Sequence, residues 1–202
     1  NPAKGKLLDI GCGTGYFIKA ASNQKWRVTG IEPNPIAREI SIKKNIKVFE
    51  SIDQIRKDKK FDVITLFHVL EHIHELRKTG KKLVKHLKNY GNLIIAVPNH
   101  NSFDANLYGT NWAAYDVPRH LYHFDLKSMQ RFADEIEMKI VETKPMKFDS
   151  YYVSLLSEKY NNPNGPTIGH LLNAFKKGYS SNKWAKNNEN NYSSLLFILK
   201  KK

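Results

Sequence analysis

Three glycines in five residues, Gly11, Gly13 and Gly15, follow the apolar run Leu7-Leu8-Asp9-Ile10 near the start of the chain. A glycine-rich turn between a strand and a helix lets bare backbone approach a ligand closely, and adenosine-containing ligands are commonly held this way. Spacing narrows the choice. The Gly-Lys-Ser/Thr signature of a phosphate-cradling loop is absent. A dinucleotide turn, G-x-G-x-x-G, would need glycine at position 16, where the chain has Tyr16. The spacing here is G-x-G-x-G, and Glu32 follows about twenty residues on, where a carboxylate at a strand end can accept both hydroxyls of a ribose.

Histidine is the natural proton acceptor near neutral pH. Of eight histidines, six fall in two places: His68, His72 and His74 after one apolar run, and His100, His120 and His123 after the next. His120 and His123, in the stretch PRHLYHF, are the leading candidates for acceptor-side catalytic groups, with His72 a third and Arg119 suited to an acidic group on a substrate. A lock on the loop is the competing role for His120 and His123, as packing beneath the following helix is for His72. His68, Glu71 and His72 stand at i, i+3 and i+4 and would share one face of a helix, but no metal is expected there. Cys12, the sole cysteine, has no basic partner beside it in sequence and reads as a small residue packed under the glycine turn.

The elements that must position these groups alternate. Strands are expected at Lys6–Ile10, Trp26–Ile31, Ile46–Phe49, Phe61–Phe67 and Asn92–Val97, with helices at Tyr16–Gln24, Pro35–Lys44 and His72–Lys88, the last ended by Asn89-Tyr90-Gly91. Near-continuous apolar strands alternating with helices imply a parallel sheet covered on both faces. Residues 98–124 carry aromatics without a clear period and read as an irregular active-site insertion. A helix at Asp125–Glu135 and strands at Lys139–Thr143 and Ser194–Leu199 complete the pattern. The stretch 161–191, rich in Asn, Ser and Lys, reads as a flexible surface segment, with Leu171, Leu172 and Phe175 able to dock a short helix.

A chain of 202 residues with 41% hydrophobic residues can bury one good core, so a single domain over 1–202 is expected. The first strand starts almost at once, and an upstream part of the natural chain is expected to be missing. No run has the length of a membrane span. One cysteine fits a reducing compartment and a cytoplasmic location. A net charge of +14 invites an acidic partner, but the charge is mostly lysine scattered over helices and loops, so nucleic acid is the less favoured partner.

LLDIGCGTG followed by GIEPNP resembles the cofactor-binding half of the class I S-adenosylmethionine-dependent methyltransferases. FDVITLFHVLEHI and LKNYGNLIIAVPN resemble the fourth- and fifth-strand motifs of that superfamily, with Asn89-Tyr90 departing from its usual turn. YDVPRHLYHFDLKSMQRFADE resembles a narrower group of methyltransferase domains near the ubiquinone-biosynthesis type. The resemblance covers nearly all of residues 5–145. It implies a Rossmann-like, doubly wound α/β fold whose seven-stranded sheet is mostly parallel, with an antiparallel last strand. It implies S-adenosylmethionine as cofactor, with Asp9, Gly11, Cys12, Gly13 and Gly15 at its methionine part, Glu32 at the ribose and Pro33 near the adenine. Phe67 and His68 would pass close to the methyl-bearing sulfur.

Tyr16, Trp112 and Tyr115 are candidate aromatic faces for that cationic sulfur, and Trp112, Tyr115 and Arg119 form the expected acceptor-binding set. Some methyltransferases hold a divalent ion with a Glu-x-x-Glu-His arrangement, for which this chain has His at the first position. The implied reaction is methyl transfer to a small-molecule acceptor, with oxygen favoured by the quinone-type analogy. The rival readings are a methyltransferase of RNA or protein, a non-catalytic cofactor-binding protein of the same fold, and a nicotinamide oxidoreductase, which Tyr16 disfavours.

Overall fold

The computed structural model describes residues 4–202. Seven strands form one sheet: β1 (Gly5–Ile10), β2 (Trp26–Ile31), β3 (Val48–Phe49), β4 (Phe61–Phe67), β5 (Leu87–Pro98), β6 (Met138–Pro145) and β7 (Ser194–Lys201), in spatial order β3-β2-β1-β4-β5-β7-β6. β1 to β5 pair in parallel, and β7 lies antiparallel between β5 and β6. This is the doubly wound sheet with an antiparallel closing strand expected above. The apolar runs follow from double burial: Leu8, Ile64, Leu66, Leu93, Ile95 and Phe197 are all buried in one central cluster.

The strand order turns back on itself between β1 and β4. Ile10 pairs with both Ile31 and Leu66, Phe67 with Ala96, and Pro98 with Ser194. The exits of β1, β2, β4 and β5 therefore share one edge, and the reversal opens a crevice where an open α/β sheet binds its ligand. Helices α1 (Tyr16–Asn23), α2 (Pro35–Lys43), α3 (Leu76–His86), α4 (Phe103–Tyr108) and α5 (Leu126–Glu135) follow β1, β2, β4 and β5. Asn34 caps α2 from Ile36 and Ala37, with Pro35 at its first position. Asp125 and Ser128 cap α5 reciprocally.

Three expectations are corrected. The lysine-rich helix starts at Leu76 and ends at His86, because Leu87 is buried and pairs with Phe61. Asn89-Tyr90-Gly91 thus lies inside β5, at an irregularity between the Phe61 and Val63 pairings. The insertion 98–124 is not irregular throughout. It holds α4 and two short 3-10 turns, Gly109–Asn111 and Ala113–Tyr115. Within the stretch 161–191, residues 167–187 form a long helix, α7 (Thr167–Asn187), packed against α6 (Asp149–Asn161). Leu171, Leu172 and Phe175 lie on α7 itself and stay largely exposed, with the Phe175 ring 5.6 Å from that of Tyr151 on α6.

One buried carboxylate ties these added parts to the sheet. Asp104, on α4, accepts hydrogen bonds from the Trp112 indole (2.8 Å), Ser181 of α7 (2.7 Å) and Ser193 beside β7 (2.7 Å). Among the described residues no helix is long and apolar enough to cross a membrane.

Candidate active site

The site forms along the strand exits. After β1 the chain turns through Gly11, Gly13 and Gly15, all with left-handed φ of 67°, 53° and 80°. The three do different things. A side-chain carbon at Gly11 would stand 2.5 Å from Val69 Cγ2, so its absence seats the β4 exit against the turn. One at Gly15 would meet Ser41 Oγ at 2.2 Å, so α2 packs there. At Gly13 nothing lies within 4 Å of such a carbon, which makes it the open side of the turn.

Glu32, buried at the end of β2, accepts from the Gly13 N–H at 2.8 Å and the Asn34 N–H at 2.9 Å. Its carboxylate is thereby held at the open side of the turn. Asp9 is buried beneath and accepts from Thr65 Oγ1 at 2.6 Å. Burial, partly offset by the Thr65 hydrogen bond and reinforced by the charge of Glu32, raises its pKa to about 7. Two carboxylates and open backbone suit a ligand bearing a vicinal diol and a positive charge. Burial and the charge of Asp9 push the Cys12 thiol up to about 11. Its Sγ packs closely against Gly30, and a thiol with so high a pKa is poorly suited to act as a nucleophile.

Pro33 is exposed, and its carbonyl accepts from Arg38. Phe67 ends β4 with its ring edge-on to Phe17, centroids 5.0 Å apart. Tyr16 points outward, and Lys44 Nζ stands 3.3 Å over its ring, so that face is already occupied by a cation.

Beyond Phe67 lies the second half of the site. His68 takes a left-handed φ of 53° and donates its backbone N–H to Ala96, a conformation that non-glycine residues hold only where the surroundings impose it. Its Nε2 is 3.1 Å from Asp149 of α6 and its Nδ1 3.6 Å from Glu71. Burial alone would lower its pKa, but the two carboxylates outweigh burial and raise it to about 9. Glu71 is buried with neither oxygen hydrogen-bonded, and His120 Nε2 lies 3.9 Å away. His72 and His120 meet edge-to-face at 4.6 Å. His72 Nδ1 pairs with the Arg119 carbonyl at 3.0 Å, and His120 Nδ1 with the Ala114 carbonyl at 2.8 Å. Each neutral ring therefore carries its proton on Nδ1 and leaves Nε2 free to accept one.

Among the described residues, Glu71, His72 and His120 each offer a ligand atom, all within 4.8 Å of one another. This trio keeps two members of the spacing noted in the sequence but exchanges His68 for His120. One carboxylate and two imidazoles form a donor set of the zinc class rather than the magnesium class.

His68, Asp116, Arg119, His120, Asp149 and Tyr152 line a cavity of about 390 Å³, whose apolar wall includes Ala113, Val153 and Leu156. Arg119 is also paired with Asp116. The structure thus gathers His68, Arg119 and His120 in one cavity, with His72 touching His120 from outside its lining. It separates the remaining candidates. His123 lines a different depression with His74, Tyr122 and Arg131, and burial beside His120 and His100 lowers its pKa. Trp112 is fully buried against Asp104. Tyr115 packs between Trp112 and His123, both at 5.0 Å, and is absent from the cavity lining. Asp149 and Tyr152, missed in the sequence, lie on α6 far down the chain, in a segment with no motif to mark them.

A family model described as a methyltransferase domain matches residues 1–143, a range that includes β1, the glycine turn and most of β6. The chain belongs to the methyltransferase domain family. Among curated relatives, a ubiquinone biosynthesis O-methyltransferase of Rickettsia conorii is 27% identical over 162 residues, covering 73% of this chain and 55% of the relative. One of Rickettsia typhi is 31% identical over 120 residues, covering 56% and 48%. The chain spans about half the length of these relatives. A SAM-dependent methyltransferase of Thermotoga maritima superposes with a TM-score of 0.64 at 16% identity, covering 100% of this chain and 84% of that one. A Haemonchus contortus phosphoethanolamine N-methyltransferase solved with S-adenosyl-L-methionine gives a TM-score of 0.65 at 17% identity, covering 100% and 49%. At such identity these likenesses carry the fold.

Proposed function

We propose that the chain transfers a methyl group from S-adenosylmethionine to the hydroxyl of a small-molecule acceptor. The observation that carries this reading is the two-sided edge. Gly13, Glu32 and Asp9 form a cradle for an adenosine compound bearing positive charge, and across the β4 exit a cavity of about 390 Å³ is lined by His120, whose Nε2 makes no hydrogen bond and lies 3.9 Å from both Glu71 and Asp116. The bound cofactor supplies an electrophilic methyl on a leaving group that needs no further activation.

The chain's own residues do the rest. Glu32 accepts the ribose hydroxyls, and Asp9, once ionised, faces the methionine portion. His120 takes the acceptor's proton through Nε2, while the Ala114 carbonyl holds its tautomer. Arg119 orients an acidic or polar group on the acceptor, and the partly apolar wall keeps water from the reacting atoms. The size of the cavity favours a small molecule over a nucleic acid or protein segment, and the quinone-type relatives support oxygen as the acceptor atom.

Calorimetric titration with S-adenosylhomocysteine, with NADH as control, tests the first half. Binding of the former alone is expected, and binding of NADH alone would overturn the reading.

A further inference from the structure

The face that α6 and α7 turn to solvent is apolar and basic together. On α7, Ile168, Leu171, Leu172, Phe175 and Tyr179 follow one another at helical spacing and are all exposed. Phe148, just before α6, is 88% exposed and Tyr152 is 65% exposed. Phe148, Tyr152, Leu155, Leu171 and Phe175 border an open groove of about 500 Å³. Soluble surfaces rarely gather large apolar side chains so densely without a partner.

The charge on this face says which partner. α7 contains no acidic residue. The two on α6 are turned inward, Asp149 to His68 and Glu158 to Lys177, Asn173 and Tyr108. Lys147, Lys176, Lys183 and Lys186 are exposed, and among the described residues none of them makes an ion pair. Lys183 and Lys186 continue the α7 stripe beyond Tyr179 by one and two turns. A second copy of the chain would bring lysines against lysines, on a molecule already carrying +14. Aromatic and aliphatic side chains flanked by unpaired lysines suit an anionic lipid surface.

We infer that the α6–α7 face docks on an anionic bilayer, its apolar stripe entering the headgroup boundary and its lysines meeting lipid phosphates. The groove shares Tyr152 with the cavity of His68 and His120, so docking sets that cavity beside the lipid. The inference rests on the exposed face and stands independently of the methyl-transfer reading.

The test is flotation of the full chain with vesicles of phosphatidylcholine alone and of phosphatidylcholine mixed with phosphatidylglycerol. Binding to the mixed vesicles, reduced by salt, is expected. L171A/F175A should weaken it about tenfold or more without changing charge. K176Q/K183Q should weaken it too, whereas K81Q/K85Q, an equal charge change on the exposed lysines of α3, should leave it within about twofold. Unchanged thermal unfolding would show that each variant folds. Absence of flotation, or equal losses for the two lysine pairs with none for L171A/F175A, would overturn the inference. A wild-type dimer in light scattering that L171A/F175A dissolves would overturn it as well, assigning the face to a second copy.

Discussion

Glu32 has its two oxygens on two backbone amides, those of Gly13 and Asn34, so it orders the glycine turn in addition to the ribose-binding role proposed for it. Glu32→Ala should therefore weaken S-adenosylhomocysteine binding by about 1–3 kcal/mol, read by calorimetry, and unaltered affinity would remove it from the site. Asp9 gives a pH signature. Its pKa is raised from 3.8 to about 7, so the folded chain keeps a proton that the unfolded chain releases. The corresponding stability is full below about pH 4 and is lost as pH rises through 7. A cationic ligand favours the ionised form, so cofactor affinity should climb as pH rises through 7, and Asp9→Asn should flatten both profiles. At His120 the expectation is a split: His120→Ala should lower turnover by about 10²–10⁴-fold while cofactor affinity stays near wild type, and equal loss of both would make it a loop lock. The glycine turn and Glu32 were legible in the sequence because backbone proximity demands glycine and a strand end demands a fixed count of residues. His120 and His123 were not distinguishable there. Three residues apart on an extended stretch, they diverge to different depressions only once Ala114 has captured one ring.

The elements that sequence patterning resolved are those whose large apolar residues face inward. β1, β2 and β4 carry their burial in Leu, Ile and Phe, and their boundaries match the expected ones to within a residue. α7 inverts that logic. Its inward positions are His170, Ala174, Gly178, Ser181 and Ala185, at helical spacing but small or polar, while its leucines and phenylalanine point out. A reading that follows large side chains finds a helical period in Ile168, Leu171, Leu172, Phe175 and Tyr179, but on the face turned to solvent, where it marks no core contact. The small residues allow close helix packing: a side-chain carbon at Gly178 would lie 2.9 Å from Tyr151 Cα and 2.7 Å from its ring. Gly178→Val should force α6 and α7 apart and cost about 1–3 kcal/mol in thermal unfolding. An unchanged melting temperature would mean that the two helices are not packed at this point.

At the scale of the molecule, the α6–α7 hairpin meets the sheet edge at the His68–Asp149 pair, and Asp104 ties α7 to the insertion and to the approach to β7. It links α4, the Trp112 turn, α7 and the approach to β7 in a site closed to water. Asn99 adds a second tie, from the end of β5 to Asn191 and Tyr192. A buried carboxylate with three donors stabilises only while all remain, since each unpaired group left behind costs about 1–3 kcal/mol. Asp104→Ala should therefore do more than lower the melting temperature. It should uncouple the hairpin, which carries Asp149 and one wall of the His120 cavity, from the sheet edge that carries Glu32. Hydrogen exchange should then quicken across α6, α7 and the segment from Asn99 to Trp112, while β1, β2 and β4 keep their protection. S-adenosylhomocysteine binding should survive, because Gly13, Glu32 and Asp9 lie wholly on the sheet side. Uniform acceleration through both halves would mean that the chain unfolds as one unit and that Asp104 holds no boundary within it.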